Sequence, residues 1–258
     1  MLSVVMLGSG TSTGIPVVGC ACSVCRSEHP KNRRSRPSLW LRWDQEGVER
    51  SVVIDTGPDF RYQSLREGMS RLDAILFTHA HADHIMGLDD VRPFNFRQRT
   101  SIPCFGSAAT LEQLRRIYAY AFEEQTEGGG VPRLELCEIE GAFELFGESL
   151  IPVPVLHGTR RVLGFRLRDF AYVTDVSAIP EASFEILKGV RVMILGALRY
   201  RSHSTHFTLA EAVEALAAIG PERAYFTHLS CEVDHEALEI DLPVGVELGY
   251  DGLRFELP

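Results

Sequence analysis

A layered α/β or α+β fold is predicted for this chain of 258 residues, and three observations carry the prediction. Short apolar runs alternate with amphipathic stretches, as elements packed in layers require. Turn signals separate the runs cleanly. The hydrophobic share of 45% suffices for the core of one domain spanning residues 1–258.

Strands are expected over Val4–Leu7, Leu39–Arg42, Val52–Ile54, Ala74–Phe77, Ile151–Leu156, Val162–Leu167, Ala171–Val173, Val192–Leu195 and Arg223–Phe226. Ser107 is expected to cap a helix running to about Ala121, since Leu111, Leu114, Ile117 and Tyr118 recur at helical spacing. Thr208-Leu-Ala-Glu211 has the form of a capping box, in which hydroxyl and carboxylate satisfy exposed amides reciprocally. Leu209, Val213 and Leu216 then give one apolar face, and Gly220-Pro221 ends the helix after Ile219. The Gly-rich segment Glu123–Pro132 is expected to be a mobile loop.

Composition excludes several classes of function. The apolar runs fall far short of the roughly 20 residues that a bilayer span requires. Met1-Leu2-Ser3 leads straight into the first strand without the features of a signal peptide, so the cytoplasm is the expected compartment. Net charge is −9, and only Lys31–Arg36 forms a basic run. A nucleic-acid partner is therefore not expected, and small substrates are favoured. The sequence is compatible with a homodimer.

Nearly every His or Asp of interest follows a predicted strand, where a rigid sheet can aim polar groups into a cleft. His79-Ala-His81-Ala-Asp83-His84 packs four candidate metal ligands into six residues separated by small alanines. Imidazoles with a carboxylate suit borderline cations such as Zn²⁺, Mn²⁺ or Fe²⁺. His157, Asp175 and His228 each follow a later strand. A lone His after a strand is usually a surface or hydrogen-bonded residue, and only the shared context raises these three. One metal needs about four ligands, so seven candidates would serve two.

A second cluster is Cys20-Ala-Cys22-Ser-Val-Cys25, within a loop around residues 19–29. In a reducing compartment, crowded thiols suggest a structural Zn²⁺. Cys231 is the favoured fourth ligand because it lies three residues beyond His228; His29 and His235 are rivals. Cys104 and Cys137 read as small core residues. Gly8-Ser-Gly10-Thr-Ser-Thr-Gly14 either presents amides to an anion or is a plain turn. Arg92 either meets a phosphate or pairs with Asp89 or Asp90.

The His-x-His-x-Asp-His signature, with His157, Asp175 and His228 in order behind it, resembles the metallo-β-lactamase superfamily over almost the whole chain. The resemblance implies an αββα sandwich of two mixed sheets flanked by helices. It also implies that His79, His81 and His157 hold one metal, that Asp83, His84 and His228 hold the other, and that Asp175 bridges them. A water shared by two Zn²⁺ or Mn²⁺ ions would then be the nucleophile. Asp55, in Ile54-Asp55-Thr-Gly57, matches the family's early strand-end aspartate and would orient the ligand loop from behind; a turn cap is the alternative. The cysteines and Thr227-His228-Leu-Ser-Cys231 narrow the resemblance to PhnP-like phosphodiesterases, with Cys231 where the type protein carries a histidine. By position, His206 matches the catalytic histidine of that group and of related tRNA-processing enzymes, an imidazole near its ordinary pKa that assists the leaving group. His203 has no such match. Asp83 and His206 are thus the expected catalytic residues, and a small phosphodiester, cyclic forms included, the expected substrate. The alternatives are a thioester or lactone hydrolase, a tRNA 3′-processing nuclease, and a non-catalytic metal-binding carrier or assembly protein.

Overall fold

The structure, a computed structural model, describes residues 1–123, 130–238 and 240–258. Most of the expected mobile loop therefore lies outside the described residues. In chain order the strands are β1 (Leu2–Gly8), β2 (Ser38–Gln45), β3 (Val48–Ile54), β4 (Ala74–Leu76), β5 (Ile102–Gly106), β6 (Leu134–Glu138), β7 (Phe143–Leu145), β8 (Glu148–His157), β9 (Arg160–Leu167), β10 (Phe170–Val173), β11 (Val192–Gly196), β12 (Arg223–Thr227), β13 (Val246–Leu248) and β14 (Arg254–Leu257). They form two seven-stranded sheets, ordered β14-β1-β2-β3-β4-β5-β6 and β13-β12-β11-β10-β9-β8-β7. Both are mixed: β3 to β6 run parallel, as do β10 to β13, and the remaining pairs are antiparallel.

Side-chain alternation explains the layering. Successive strand residues point to opposite faces, and here both faces are apolar. In β1, Val4 and Met6 join a core with Phe165, Tyr172 and Ile194 of the other sheet, so these residues lie between the sheets. Their neighbours Val5 and Leu7 join an outer cluster with Phe60, Ile85, Phe94 and Leu114. Those residues come from α2 (Phe60–Arg66), α3 (Ala82–Ile85), α4 (Arg92–Gln98) and α5 (Ala108–Ile117), which follow the four-residue α1 (Ser23–Arg26) in the chain. On the far face of the second sheet, Val173, Met193 and Phe226 pack with Leu187 of α6 (Glu181–Leu187) and Leu209, Ala212 and Leu216 of α7 (Leu209–Ile219). Each such fully buried large side chain contributes roughly 1.5–3 kcal/mol. The result is the αββα sandwich.

Thr208 caps α7 as the sequence indicates: its hydroxyl accepts from the Glu211 amide at 3.1 Å, and the Glu211 carboxylate accepts from the Thr208 amide at 2.8 Å. Ser107 caps α5, but that helix ends at Ile117 and a 3₁₀ turn covers Ala119–Ala121. Cys104 is buried, whereas Cys137 lies half-buried on edge strand β6, so it is not a core residue. The Gly8–Gly14 segment is a structural turn. Its Ser9, Gly10, Thr11 and Gly14 amides already donate to Asp251, Ser35, Leu229 and Thr11.

The parallel strands bring their C-terminal ends to one edge, the usual location of a site in such sheets. Asp55 follows β3, the His79–His84 loop follows β4, His157 ends β8, Asp175 follows β10 and His228 follows β12. The Asp55–Gly57 turn is welded to the His79–His84 loop: the Thr56 amide donates to the His84 carbonyl and the Gly87 amide to the Thr56 carbonyl, each at 2.8 Å. A Cβ on Gly57 would lie 2.1 Å from the Asp83 carbonyl oxygen. Gly57→Ala should therefore displace Asp83 and lower stability by about 1–3 kcal/mol, the usual cost of overpacking. Denaturant unfolding together with metal analysis checks this; an unchanged midpoint and metal content would show that the weld is dispensable.

Candidate active site

Asp55, Asp175 and His228 all adopt left-handed backbone conformations, with φ of 62°, 50° and 61°. For residues other than glycine this is uncommon and costs energy, of order 1–3 kcal/mol each, and such residues gather at functional sites. The turn re-aims each side chain as the chain leaves its strand.

Seven side chains converge. One ligating atom from each of His79, His81 and His157 lies within 4.8 Å of the others, and the same holds for Asp83, His84, Asp175 and His228. His157, Asp175 and His206 form a third such group, so Asp175 lies between the two sets. His84 Nε2 is 3.2 Å from Asp83 Oδ2 and 3.1 Å from Asp175 Oδ2. His228 Nε2 is 3.3 Å from Asp175 Oδ1 and 3.5 Å from Asp83 Oδ2.

These are short distances without hydrogen-bond geometry. Among the described residues, Nε2 of His79, His84 and His228 is buried with no hydrogen-bond partner. Leaving such atoms unsatisfied is costly, and cations bound at the two ligand sets would resolve all three. The Nδ1 atoms of His84, His157 and His79 are held from behind, whereas His228 Nδ1 is also buried without a partner. His84 Nδ1 meets Asp55 Oδ2 at 2.7 Å, His157 Nδ1 meets the Thr205 carbonyl at 2.7 Å, and His79 Nδ1 meets the Thr78 hydroxyl at 3.0 Å. The first two acceptors require a proton on Nδ1, which leaves Nε2 as a ligand. Arg160 donates to His81 Nε2 at 3.0 Å, which leaves His81 its Nδ1.

Asp55 is fully buried and also accepts from the Thr78 amide and hydroxyl at 2.8 and 2.7 Å. Its place is behind the ligands. Burial raises its carboxyl above the ordinary range against the pull of His84. Burial would also raise Asp83 and Asp175, yet His84 and His228 hold both below the usual carboxylate range. His84 is itself buried, but Asp175, Asp55 and Asp83 outweigh that and make it more basic than an ordinary histidine. The pocket draws positive charge inward.

His206 lies at the rim, its ring 4.7 Å from that of His228 and 4.6 Å from that of His157, with Nδ1 3.8 Å from Asp175 Oδ1. The Phe207 amide donates to Val176 and the Leu198 amide to Phe207, which pins this loop before α7. Burial, then His228, pushes the His206 imidazole down to about 3. That corrects the expectation of an ordinary imidazole: near neutral pH the ring is an uncharged N–H donor. His203 sits further out and accepts from the Thr205 amide at 3.3 Å.

The four cysteines Cys20, Cys22, Cys25 and Cys231 are free thiols whose sulfurs lie within 4.8 Å of one another. The Cys25 amide donates to Cys22 Sγ at 3.4 Å and the Val17 amide to Cys25 Sγ at 3.3 Å. The first of these pulls the Cys22 thiol down to about 7, while burial and Cys22 push Cys231 up to about 12. Such a cluster cannot fully ionise without a cation. His29 and His235 stand outside it, stacked on each other at 5.8 Å. The fully buried Arg34, which sequence reasoning missed, donates to the Ser230 and Lys31 carbonyls and to Asn32 Oδ1, tying the cysteine loop to the segment after His228. Arg92 pairs with Asp89 at 2.6 Å.

Comparison with known proteins agrees with this geometry. Residues 50–229 match the family described as "Beta-lactamase superfamily domain". An octanoyltransferase of Porphyromonas gingivalis is 37% identical over 255 residues, which are 97% of this chain and 50% of that protein, so the chain spans about half of this relative's length. A crystal structure described as a new diphosphatase from the PhnP family superposes with a TM-score of 0.92 at 41% identity, covering 100% of this chain and 98% of that one. Zn²⁺-bound PqqB from Methylobacterium extorquens shares the fold at a TM-score of 0.77 and 17% identity, over 99% of this chain and 100% of that one. In sequence and in fold, then, the chain belongs to the beta-lactamase superfamily and resembles its PhnP family end to end.

Proposed function

We propose that this chain hydrolyses phosphodiester bonds in small phosphorylated molecules at a centre of two divalent cations. The observation that carries the reading is the convergence of three buried, unpartnered imidazole nitrogens on two ionised carboxylates, with His206 at the rim. The fold family implies divalent metals, and these donors fit them. His79, His81 and His157 would hold one, Asp83, His84 and His228 the other, with Asp175 between; nitrogen and oxygen donors suit Zn²⁺ or Mn²⁺. Bound there, such cations polarise phosphoryl oxygens and lower the pKa of water. The neutral His206 donates a hydrogen bond to the departing alkoxide, and Asp55 keeps His84 in the tautomer that presents Nε2. The similar solved structure's description as a diphosphatase supports phosphoryl chemistry. The four sulfurs suit a structural Zn²⁺, which would brace the cysteine loop against the segment after His228.

One observation favours a second reading. The similar protein from Porphyromonas gingivalis is an octanoyltransferase, which makes thioester hydrolysis at the same centre the alternative.

Asp175→Ala should abolish hydrolysis of bis(p-nitrophenyl) phosphate and lower bound metal; full activity in the variant would overturn the reading. Faster turnover of an octanoyl thioester than of any phosphodiester would favour the alternative.

His206→Ala should cut turnover of an alkyl phosphodiester by about 10- to 10²-fold, the worth of one hydrogen bond to a charged leaving group. It should affect bis(p-nitrophenyl) phosphate far less, because p-nitrophenolate leaves without help. Equal losses on both substrates would assign His206 to binding instead, and His203→Ala is the control.

A Cys20→Ser/Cys22→Ser double variant should lose zinc and melt at lower temperature, since structural zinc contributes folding free energy. Unchanged zinc content and melting would make the cluster incidental.

A further inference from the structure

Glu232 follows Cys231 on the segment that leaves β12 by way of His228. Its carboxylate faces two arginines. Arg201 Nη2 and Nε donate to its two oxygens at 2.7 and 3.1 Å, and Arg199 Nη1 lies 3.5 Å from one of them. We propose that Glu232 is a positioning residue for His206, clamping the loop between β11 and α7 so that the imidazole stays aligned with the leaving group. The inference rests on the phosphodiesterase reading and on the part that reading gives to His206.

The loop is built so that a clamp at this point matters. Strand β11 ends at Gly196 and α7 begins at Leu209. At the base of the loop the Leu198 amide donates to the Phe207 carbonyl at 2.8 Å and the Leu209 amide to the Arg199 carbonyl at 3.0 Å. The chain between is a compact loop whose two ends meet. Arg199 stiffens it from within, its Nε donating to the Arg201 carbonyl and its Nη2 to the Ser202 carbonyl, each at 3.1 Å. His203 and His206 follow directly. Among the described residues, Arg199 and Arg201 both have Glu232 as their only carboxylate partner.

Glu232 is itself held by the frame of the site. The Ser230 amide donates to the Leu198 carbonyl at 2.9 Å, the Glu232 amide to the Ser230 hydroxyl at 3.3 Å, and Arg34 to the Ser230 carbonyl at 3.1 Å. The carboxylate therefore stands on the segment that carries His228 and Cys231, and the arginines stand on the loop that carries His206. Hydrogen bonds from Arg201 hold the Glu232 carboxyl below its ordinary range, so it is charged near neutral pH. A single exposed ion pair contributes little, but a two-pronged fork shared with a second arginine is a network with defined geometry. Catalysis magnifies small displacements, because assistance to a leaving group depends on alignment.

Two substrates test the proposal: ethylene phosphate, an alkyl diester, and bis(p-nitrophenyl) phosphate, whose leaving group needs no help. Glu232→Gln, which keeps the shape and removes the charge, should lower kcat on the alkyl diester by about two- to fivefold, the scale of an exposed ion-pair network. KM should hold, and bis(p-nitrophenyl) phosphate should be affected far less. Glu232→Asp, which keeps the charge, should recover part of the loss. In a His206→Ala background, Glu232→Gln should cost nothing further on the alkyl diester, since both changes act through one group. Losses that multiply in the double variant would overturn the inference, as would an unchanged kcat in Glu232→Gln. Equal losses on both substrates, with or without lost metal or a lower melting temperature, would make Glu232 merely structural and overturn it too. All three results would leave the phosphodiesterase reading intact. No hydrolysis of either diester by the unsubstituted protein would sink that reading and the inference with it.

Discussion

A carboxylate with no exposure to water, Asp55, holds the site together. Burying an unpaired charge costs several kcal/mol, and the cost is offset only by its partners: the His84 ring, and the Thr78 amide and hydroxyl. Those contacts bind the turn after β3 to the loop after β4, so the backbone of the His79–His84 loop has little freedom. The second sheet joins through one further bond, from the Leu163 amide to the Thr78 carbonyl at 3.0 Å. Ligands from both sheets are thereby held in one frame.

Charge follows from this frame. Three carboxylates surround His84, and four imidazoles crowd around Asp175 and its neighbours, so neither set is stable alone in a dry pocket. The same logic recurs at the cysteine cluster, where four sulfurs compete for protons. In both places like groups are concentrated beyond what hydrogen bonding can satisfy, which is the signature of a site shaped around a cation.

Much of this was legible in the sequence because ligands must follow strands, and strands announce themselves by apolar runs. All nine expected strands are present. Five strands go unpredicted, among them β5, where Pro103 interrupts the run, and β6, where Glu135 and Glu138 break it, while β7, β13 and β14 have only three or four residues each. The helices α2, α4 and α6 have seven residues each, under two turns, too short for a period to show. Asp55 was visible as a strand-end acid, but its bond to His84 was not, because 29 residues separate them. Arg34 and Arg160 were invisible for the same reason: each acts through a partner distant in sequence, His81 for Arg160 and Ser230 for Arg34. His206 was placed by position, while its depressed basicity depends on burial and on three neighbouring rings that only the folded chain assembles.

The division of labour between elements has an evolutionary consequence. Every proposed ligand of the two-metal centre lies at a strand end or in the segment that leaves it, and all but the half-buried His81 are buried, whereas the cavity beside His79 and His81 is otherwise walled by α5 and by the outer end of the β8–β9 hairpin. Surface positions such as these tolerate substitution at little cost in stability. A lineage built on this frame can therefore exchange one substrate for another by drift at the rim, whereas any change of reaction would require remaking the ends of both sheets at once.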